Sequence, residues 1–92
     1  MREATIQRRI LDYLNSLPGC RAVNNHGNGY QGAGRPDIFA CYRGRFLVLE
    51  VKNEKGQPTK LQLHELAKWQ AAGAVAGIVR SVDDVRKLIE GM

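Results

Sequence analysis

The chain has 92 residues, of which 43% are hydrophobic and 25% are charged, as in an ordinary single globular domain covering residues 1–92. Its charged N-terminus is unlike a signal peptide, and no run approaches the roughly 20 apolar residues of a membrane helix, so we expect a soluble, cytoplasmic protein. The net charge of +5 is the electrostatic footprint of a protein that binds phosphate groups.

The first predicted element is an amphipathic helix that ends at Pro18-Gly19. Its apolar residues recur at spacings of four, four and three, as one helix face requires: Ile6, Ile10, Leu14 and Leu17. A short strand is predicted next, from Cys20 to Asn24. Cys20 and Cys41 lie too far apart for a metal-binding cysteine motif, so we expect two small buried thiols.

A polar, glycine-rich stretch follows at residues 25–34 and predicts a mobile loop. Residues 27–32 match the G-x-G-x-x-G pattern of dinucleotide-binding proteins. That function requires a strand directly before the glycines and a helix directly after them, whereas here more loop and then a strand follow, so we predict no dinucleotide site. The loop could instead wrap the backbone of a nucleic acid beside Asp37, or serve only as a connection.

Two strands joined by a tight Arg43-Gly44 turn are predicted from Asp37 to Tyr42 and from Arg45 to Lys52. A two-residue turn sets the register of the hairpin and brings Asp37 opposite Glu50. Because side chains alternate between the faces of a strand, one face is purely apolar. The other face carries Asp37, Phe39, Cys41, Phe46, Val48, Glu50 and Lys52.

The remaining chain predicts a helix, a strand and a further helix. Thr59 and Gln62 match a capping box at the start of a helix that ends near Ala72-Gly73. Residues 74–80 predict a short buried strand, and residues 81–84 repeat the capping-box pattern before the last helix. The order α-β-β-β-α-β-α therefore predicts an α/β fold in which helices flank a mixed β-sheet.

The opposed carboxylates of Asp37 and Glu50 predict a cation site. Directly opposed residues have Cβ atoms about 4.5 to 5.5 Å apart, so the two charges repel each other unless a cation compensates them. Oxygen ligands at this spacing suit Mg²⁺, and Mn²⁺ is the alternative. A bulge would shift the pairing by about one residue and weaken this prediction.

Lys52 lies on the same predicted face, two residues beyond Glu50. There it could orient or deprotonate a water, or neutralise the charge that builds on an attacked phosphate. Two carboxylates, a cation and a lysine are the groups needed to hydrolyse a phosphodiester. The alternative is that Glu50 and Lys52 form an exposed surface pair at the end of a strand.

Two further residues, Glu3 and Gln62, are predicted to lie near the same cation site. Glu3 lies on the side of the first helix that faces the sheet, so it could complete the site or hold one of its waters. It could equally be an acid favoured by the dipole at a helix start. Gln62 shares the inward stripe of its helix, where a contact to the site competes with its structural role in the capping box.

These motifs resemble those of a known family. Arg35-Pro36-Asp37, Glu50-Val51-Lys52 and the later Gln62 resemble the PD-(D/E)xK nuclease superfamily. Residues 34–38, 59–69, 72–73 and 80–84 look like the corresponding segments of its VRR-NUC family, the virus-type replication-repair nucleases. The resemblance covers nearly the whole chain, including Glu3 in the first helix.

The resemblance implies a minimal restriction-endonuclease-like core with a defined set of site residues. Asp37, Glu50 and the backbone carbonyl of Val51 would be metal ligands, with Glu3 acting directly or through water. Lys52 would be the catalytic lysine, and Glu3 and Gln62 would be auxiliary residues of the site.

The resulting hypothesis is a homodimeric endonuclease that depends on Mg²⁺ or Mn²⁺ and cuts branched DNA, such as Holliday junctions, in replication, recombination or repair. A partner subunit also suits a short chain, which buries only about 60 to 65% of its unfolded surface. The alternatives are a nuclease on linear or nicked DNA, and a non-catalytic DNA-binding module with a structural acidic pair. Basic residues that could follow the DNA backbone are Arg8, Arg9, Arg43, Arg45, Lys55, Lys60 and Lys68.

Overall fold

The computed structural model describes residues 1–25 and 34–92, so the glycine-rich pattern at 27–32 and most of the predicted loop lie outside the described residues. The elements follow the predicted order α-β-β-β-α-β-α. They are α1 (Glu3–Ser16), β1 (Cys20–Asn24), β2 (Ile38–Tyr42), β3 (Arg45–Val51), α2 (Lys60–Ala71), β4 (Val75–Val79) and α3 (Val82–Glu90). Within the two described ranges, no helix is both long and apolar enough to cross a membrane.

The four strands form one mixed sheet in the order β1-β2-β3-β4, in which β1, β2 and β3 are antiparallel and β4 is parallel to β3. The predicted two-residue turn between β2 and β3 is confirmed, because Arg43 and Gly44 both have positive φ, 49° and 83°. Such a turn matches the right-handed twist of the flanking strands. The predicted pairs Phe39–Val48 and Cys41–Phe46 are confirmed as well.

The predicted pairing of Asp37 with Glu50 is not formed, because the ladder ends one step earlier, at Ile38 and Leu49. Leu49 is the partner of Ile38, and its carbonyl also accepts from the backbone amide of Asp37, at 3.1 Å. Asp37 and Ile38 therefore both face the single residue Leu49 of β3. This is the arrangement of a β-bulge, which bends the chain and redirects a side chain. The carboxylate of Asp37 therefore turns toward Val51, whose amide donates to Asp37 Oδ2 at 2.8 Å.

The main core lies between the sheet and the helices α1 and α3. The face predicted to be purely apolar is buried there against α1: Ile38, Ala40, Leu47, Leu49 and Val51 pack with Ile6, Ile10 and Leu14. Each fully buried leucine or isoleucine contributes about 1.5–3 kcal/mol relative to an exposed one. A smaller cluster of Val48, Leu66 and Ala76 lies on the opposite face, beneath α2.

Both predicted helix caps are present, but they differ in form. At α2 the capping box is complete. The Thr59 hydroxyl accepts from the backbone amide of Gln62, and the side-chain oxygen of Gln62 accepts from the backbone amide of Thr59. At α3 the Ser81 hydroxyl accepts from the Asp84 amide at 3.1 Å. The Asp84 carboxylate does not complete that box and instead accepts from the amide of Arg80, at 2.9 Å.

Helix α2 covers β3 and β4, and among the described residues no helix covers part of the sheet face above β1 and β2. The expectation of two buried thiols is therefore wrong for Cys41, which is exposed, whereas Cys20 is half-buried. Val23 and Phe46 are 46% and 37% exposed on this same face. We call the exposed residues Arg21, Val23, Cys41 and Phe46 the open sheet face.

Candidate active site

Glu50 is the buried charged residue around which the site is built, with only 3% of its surface exposed near the end of β3. One carboxylate oxygen, Oε2, accepts a hydrogen bond from Gln62 Nε2 at 2.8 Å and lies 3.7 Å from Lys52 Nζ. The other oxygen, Oε1, is buried and has no hydrogen-bond donor among the described residues. Since buried polar atoms are almost always paired, this oxygen is available for a ligand.

Hydrogen bonds to the backbone around Asp37 hold this residue beside Glu50. The buried side-chain amide of Asn25 donates to the carbonyl of Pro36 at 2.9 Å. The backbone amide of Asn25 donates to the carbonyl of Asp37, also at 2.9 Å. The chain before it passes against α2 at Gly34, where an added Cβ would lie 2.7 Å from the carbonyl oxygen of Leu61. Gly34 also has a φ of +76°, so only glycine meets both requirements without strain.

Burial, followed by the negative charge of Asp37, raises the pKa of Glu50 to about 8. The positive charge of Lys52 lowers it, but by less, and a hydrogen bond shared with Asp37 and the charge of Glu3 raise it further. Without a cation the site therefore retains a proton on Glu50 at neutral pH. A positive ligand beside the Glu50 carboxylate would favour its ionised form.

Lys52 lies just beyond the end of β3, and its side chain is 12% exposed. The backbone amide of Lys52 donates to the carbonyl of Val79 at 3.1 Å. This hydrogen bond to β4 fixes the position of the Lys52 backbone at the end of the sheet. Its ammonium lies beside the Glu50 carboxylate, where strand alternation predicted it. The alternative of an exposed surface pair is wrong, because both side chains are largely buried.

Glu3 lies at the edge of this group and is half-buried at the start of α1. Its Oε2 accepts from the amide of Asn53 at 3.4 Å, one residue beyond Lys52. Its charge contributes to the raised pKa of Glu50, although it is the smallest of the causes. Glu3 therefore belongs to the electrostatic surroundings of the carboxylate pair without touching Glu50.

The two carboxylates of the site could hold a magnesium ion, which needs few ligands from the protein. Within residues 1–25 and 34–92, no three histidine, cysteine, aspartate or glutamate side chains are grouped as ligands of one ion. Mg²⁺ needs no such group, because it commonly binds one or two carboxylates and keeps waters and phosphate oxygens in its shell. The backbone amide of Val51 points toward Asp37. The carbonyl of a strand residue points to the same side as its own amide, so the Val51 carbonyl faces Asp37 as well. Its predicted role as a metal ligand is compatible with this geometry.

Gln62 performs both of the roles that sequence reasoning set against each other. Its Oε1 accepts from the Thr59 amide at 2.9 Å, and its Nε2 donates to Glu50 at 2.8 Å. One amide group can do this because it has an acceptor and a donor at opposite corners. A glutamate would serve the cap equally well but would present a second negative charge to Glu50.

Three residues that support the site were not predicted. The sequence places Asn25 in the predicted loop, Asn53 in a polar connection and Arg80 at the end of a predicted strand. Asn53 caps the turn after Lys52, since its Oδ1 accepts from the amides of Lys55 and Gly56. An asparagine three residues before a glycine is a turn signal that could have indicated Asn53. No local pattern indicates Asn25 or Arg80.

Comparisons with known proteins identify the family to which this fold belongs. A family model described as archaeal Holliday junction resolvase (Hjc) matches residues 2–80. A solved structure described as a VRR_NUC domain is 30% identical with a TM-score of 0.76, covering 96% of this chain and 94% of that one. No curated protein matches the sequence.

Two further solved structures share the fold. The Archaeoglobus fulgidus Hjc, described as a Holliday junction resolvase from an archaeal hyperthermophile, is 24% identical with a TM-score of 0.65, covering 85% of this chain and 67% of that one. A VRR_NUC domain protein is 16% identical with a TM-score of 0.72, covering 99% of this chain and 87% of that one.

A carboxylate pair at the ends of β2 and β3, a lysine two residues beyond the second carboxylate and this order of elements define the PD-(D/E)xK class of nucleases. The chain belongs to the archaeal Holliday junction resolvase (Hjc) family of that superfamily. The predicted resemblance to VRR-NUC proteins is confirmed by the structural matches. Members of these families are nucleases, which hydrolyse phosphodiester bonds.

We predict that the metal-free protein becomes less stable as the pH rises from about 5 to 8. Glu50 titrates near its ordinary value of 4.5 in the unfolded chain but at about 8 in the folded one, so in this window the folded state holds more protons. The free energy of unfolding should fall by about 2–4 kcal/mol across the window. Urea unfolding in EDTA at several pH values measures it.

The Glu50→Gln variant should flatten this dependence, because it has no proton to lose. Glu90→Gln, which removes an exposed carboxyl of α3, is the matched control and should keep the wild-type slope. A wild-type stability that stays constant between pH 5 and 8 would contradict the prediction, as would an unchanged slope in Glu50→Gln.

We predict that Gln62→Glu separates the two roles of this residue. The variant keeps the acceptor for the Thr59 amide but loses the donor to Glu50, so α2 should stay folded while DNA cleavage falls by about 10- to 100-fold. The control is Thr59→Ala, which weakens the cap by about 1 kcal/mol and leaves the contact to Glu50 in place. If cleavage follows thermal stability equally in both variants, Gln62 acts through the cap alone.

Proposed function

We propose that the protein is a metal-dependent endonuclease that cuts branched DNA, such as Holliday junctions, in replication, recombination or repair. The observation that carries the proposal is the buried Asp37–Glu50 pair, which has a raised Glu50 pKa and a carboxylate oxygen without a donor among the described residues. Membership of a junction-resolvase family supports the choice of substrate. The net charge of +5 supports binding to a polyanion.

The residues of the site have separate roles in this reaction. Asp37, Glu50 and the Val51 carbonyl would hold Mg²⁺ or Mn²⁺, which when bound supplies positive charge to the phosphate under attack. Gln62 fixes the orientation of the Glu50 carboxylate. Lys52 brings its ammonium to the same point and stabilises negative charge that develops on the phosphate oxygens. Glu3 stays at the edge, where it can hold a water.

The DNA would approach over a basic surface. All of the predicted phosphate contacts are exposed: Arg8, Arg9, Arg43, Arg45, Lys55, Lys60 and Lys68. Arg43 and Arg45 lie at the hairpin turn, at the other end of β2 and β3 from the carboxylate pair. Contacts of this kind orient the substrate without reading its sequence, which suits an enzyme that recognises the shape of a junction.

We also propose that the chain acts as a homodimer in which the open sheet face packs against its counterpart. Val23 and Phe46 are exposed large apolar side chains on this face, and Phe46 packs with Phe39 and Trp69 at centroid distances of 5.4 and 5.6 Å. A two-fold axis through such a face pairs the same residues from both copies. The dimer would then present two sites to the two strands of a junction.

The cleavage prediction is that the protein cuts a labelled four-way junction with Mg²⁺ and leaves it intact in EDTA. Glu50→Ala and Lys52→Ala should each lower the cleavage rate by at least about 100-fold, because they remove a metal ligand and the charge stabilising the phosphate. Junction binding measured in EDTA should be retained. Cleavage is followed on junction, linear and nicked DNA in parallel, and equal rates on all three would contradict the branched substrate.

Two controls accompany this experiment. Arg86→Ala removes one positive charge from the exposed face of α3 and should cleave like the wild type. Mg²⁺ should raise the melting temperature of the wild type at pH 8 more than that of Asp37→Asn, because a ligand of the folded state stabilises it. Metal-independent binding to every substrate without cleavage would favour a non-catalytic DNA-binding module instead.

The dimer prediction is tested by sedimentation at micromolar concentration. The wild type should sediment as a dimer, and Val23→Glu should be monomeric because it introduces a charge into the buried face of the dimer. Leu63→Glu, which changes an apolar residue of α2 that is 49% exposed, is the matched control and should stay dimeric. A wild type that is monomeric at this concentration would contradict the proposal.

A further inference from the structure

The turn that follows Lys52 is closed by its own hydrogen bonds. The amide of Gly56 donates to the backbone carbonyl of Asn53 at 3.2 Å and to its side-chain Oδ1 at 2.7 Å. The amide of Lys55 donates to the same Oδ1 at 3.1 Å. The segment 53–56 is therefore a defined turn. The Gly56 carbonyl and the second lone pair of the Asn53 carbonyl can still accept from outside the turn.

Arg80 supplies the donor for both of those carbonyls. Its Nη1 lies 2.6 Å from the carbonyl oxygen of Asn53 and 2.7 Å from that of Gly56. The contacts join positions 27 and 24 residues apart in the chain. Arg80 is itself anchored, because its amide donates to the carboxylate of Asp84 in the first turn of α3. One guanidinium nitrogen with two fixed N–H directions thus bridges the ends of the turn.

The turn determines where two residues of the site can lie. A Cβ on Gly56 would come within 2.8 Å of Glu3 Oε2 and 3.3 Å of Lys52 Cδ, so both side chains pack closely against its backbone. The amide of Asn53 donates to that same oxygen of Glu3. A shift of the turn would therefore move Lys52 and Glu3, whereas Asp37 and Glu50 are held from other elements.

We propose that Arg80 is a positioning residue for catalysis, which holds the 53–56 turn so that the Lys52 ammonium stays beside Glu50 and the Glu3 carboxylate stays at the edge of the site. This inference rests on the proposed nuclease function. Arg80 does not touch the carboxylate pair, so it acts through Lys52 and Glu3. Displacement of a catalytic group by about 1 Å can lower a rate by about 100-fold, so the effect should be large and confined to the chemical step.

The test separates the cleavage rate from junction binding. Single-turnover cleavage is measured at saturating protein with Mg²⁺, and the dissociation constant for the same junction is measured in EDTA. Arg80→Ala should slow cleavage by about 10- to 100-fold with binding changed by less than about threefold. Arg80→Lys should recover part of the rate, because an ammonium can reach a carbonyl but lacks the planar fork. Arg86→Ala makes the same change in charge and should cleave like the wild type.

A second variant keeps the experiment decisive if Arg80→Ala is poorly folded. Gly56→Ala retains Arg80 and adds one methyl group that contacts Glu3 and Lys52, so it should reproduce the slower cleavage with retained binding. The double variant Arg80→Lys/Gly56→Ala should lose less than the two single losses combined, because both act on one turn. Wild-type rates in Arg80→Lys and Gly56→Ala would overturn the proposal, and so would equal losses of rate, binding and thermal stability.

Amide hydrogen exchange provides a readout that does not depend on cleavage. In Arg80→Lys the amides of Gly56 and Lys55, which donate to Asn53 within the turn, should exchange at least about tenfold faster, while that of Leu49 in the buried strand stays protected. Unchanged exchange at Gly56 would show that Arg80 does not hold the turn. If the wild type fails to cleave any DNA, the nuclease proposal fails, and the exchange measurement still decides whether Arg80 orders this segment.

Discussion

The structure depends on the placement of two carboxylates side by side at the edge of a small hydrophobic core. Burial and mutual repulsion raise the pKa of Glu50 to about 8, which is a cost to the folded state wherever that group must be ionised. The surrounding contacts limit this cost: Gln62 donates to Glu50, and the Val51 amide donates to Asp37. A group held so unfavourably in a domain of marginal stability indicates function, because stability alone would replace it with an apolar residue.

The support for this pair comes from every layer of the fold. The bulge at the start of β2 turns Asp37 toward β3, and the parallel crossover through α2 brings Gln62 above Glu50. Helix α1 contributes Glu3 from the other side of the sheet, and β4 holds Lys52 through the carbonyl of Val79. The site is therefore assembled where both layers of helices meet the same end of the sheet. In residues 1–25 and 34–92, the two layers also leave part of the β1–β2 half of one sheet face uncovered, which suits a chain that needs a partner to enlarge its buried surface.

Most of the fold could be predicted because its signals are local. The spacing of Ile6, Ile10 and Leu14 indicated α1, the Arg43-Gly44 turn set the register of the hairpin, and Thr59 with Gln62 marked the start of α2. Each signal depends on neighbours within a few residues, where backbone geometry and hydrogen bonding follow from residue type. The same alternation predicted that Glu50 and Lys52 share a face, and their side chains do lie together.

The remaining features arise only when distant segments meet. The bulge at Asp37, the exposure of Cys41 and the bridge from Arg80 to Asn53 and Gly56 have no local signature, because each depends on what packs against it. The carboxylate pair shows the division most clearly. Strand alternation predicted Asp37 and Glu50 on one face, but the bulge is what turns Asp37 toward β3. The raised pKa of Glu50 and its orientation by Gln62 depend on burial and on a helix 12 residues away in the chain. Residue spacing specifies which groups can meet, whereas the electrostatic energy of their meeting is set by the three-dimensional environment that excludes water from them.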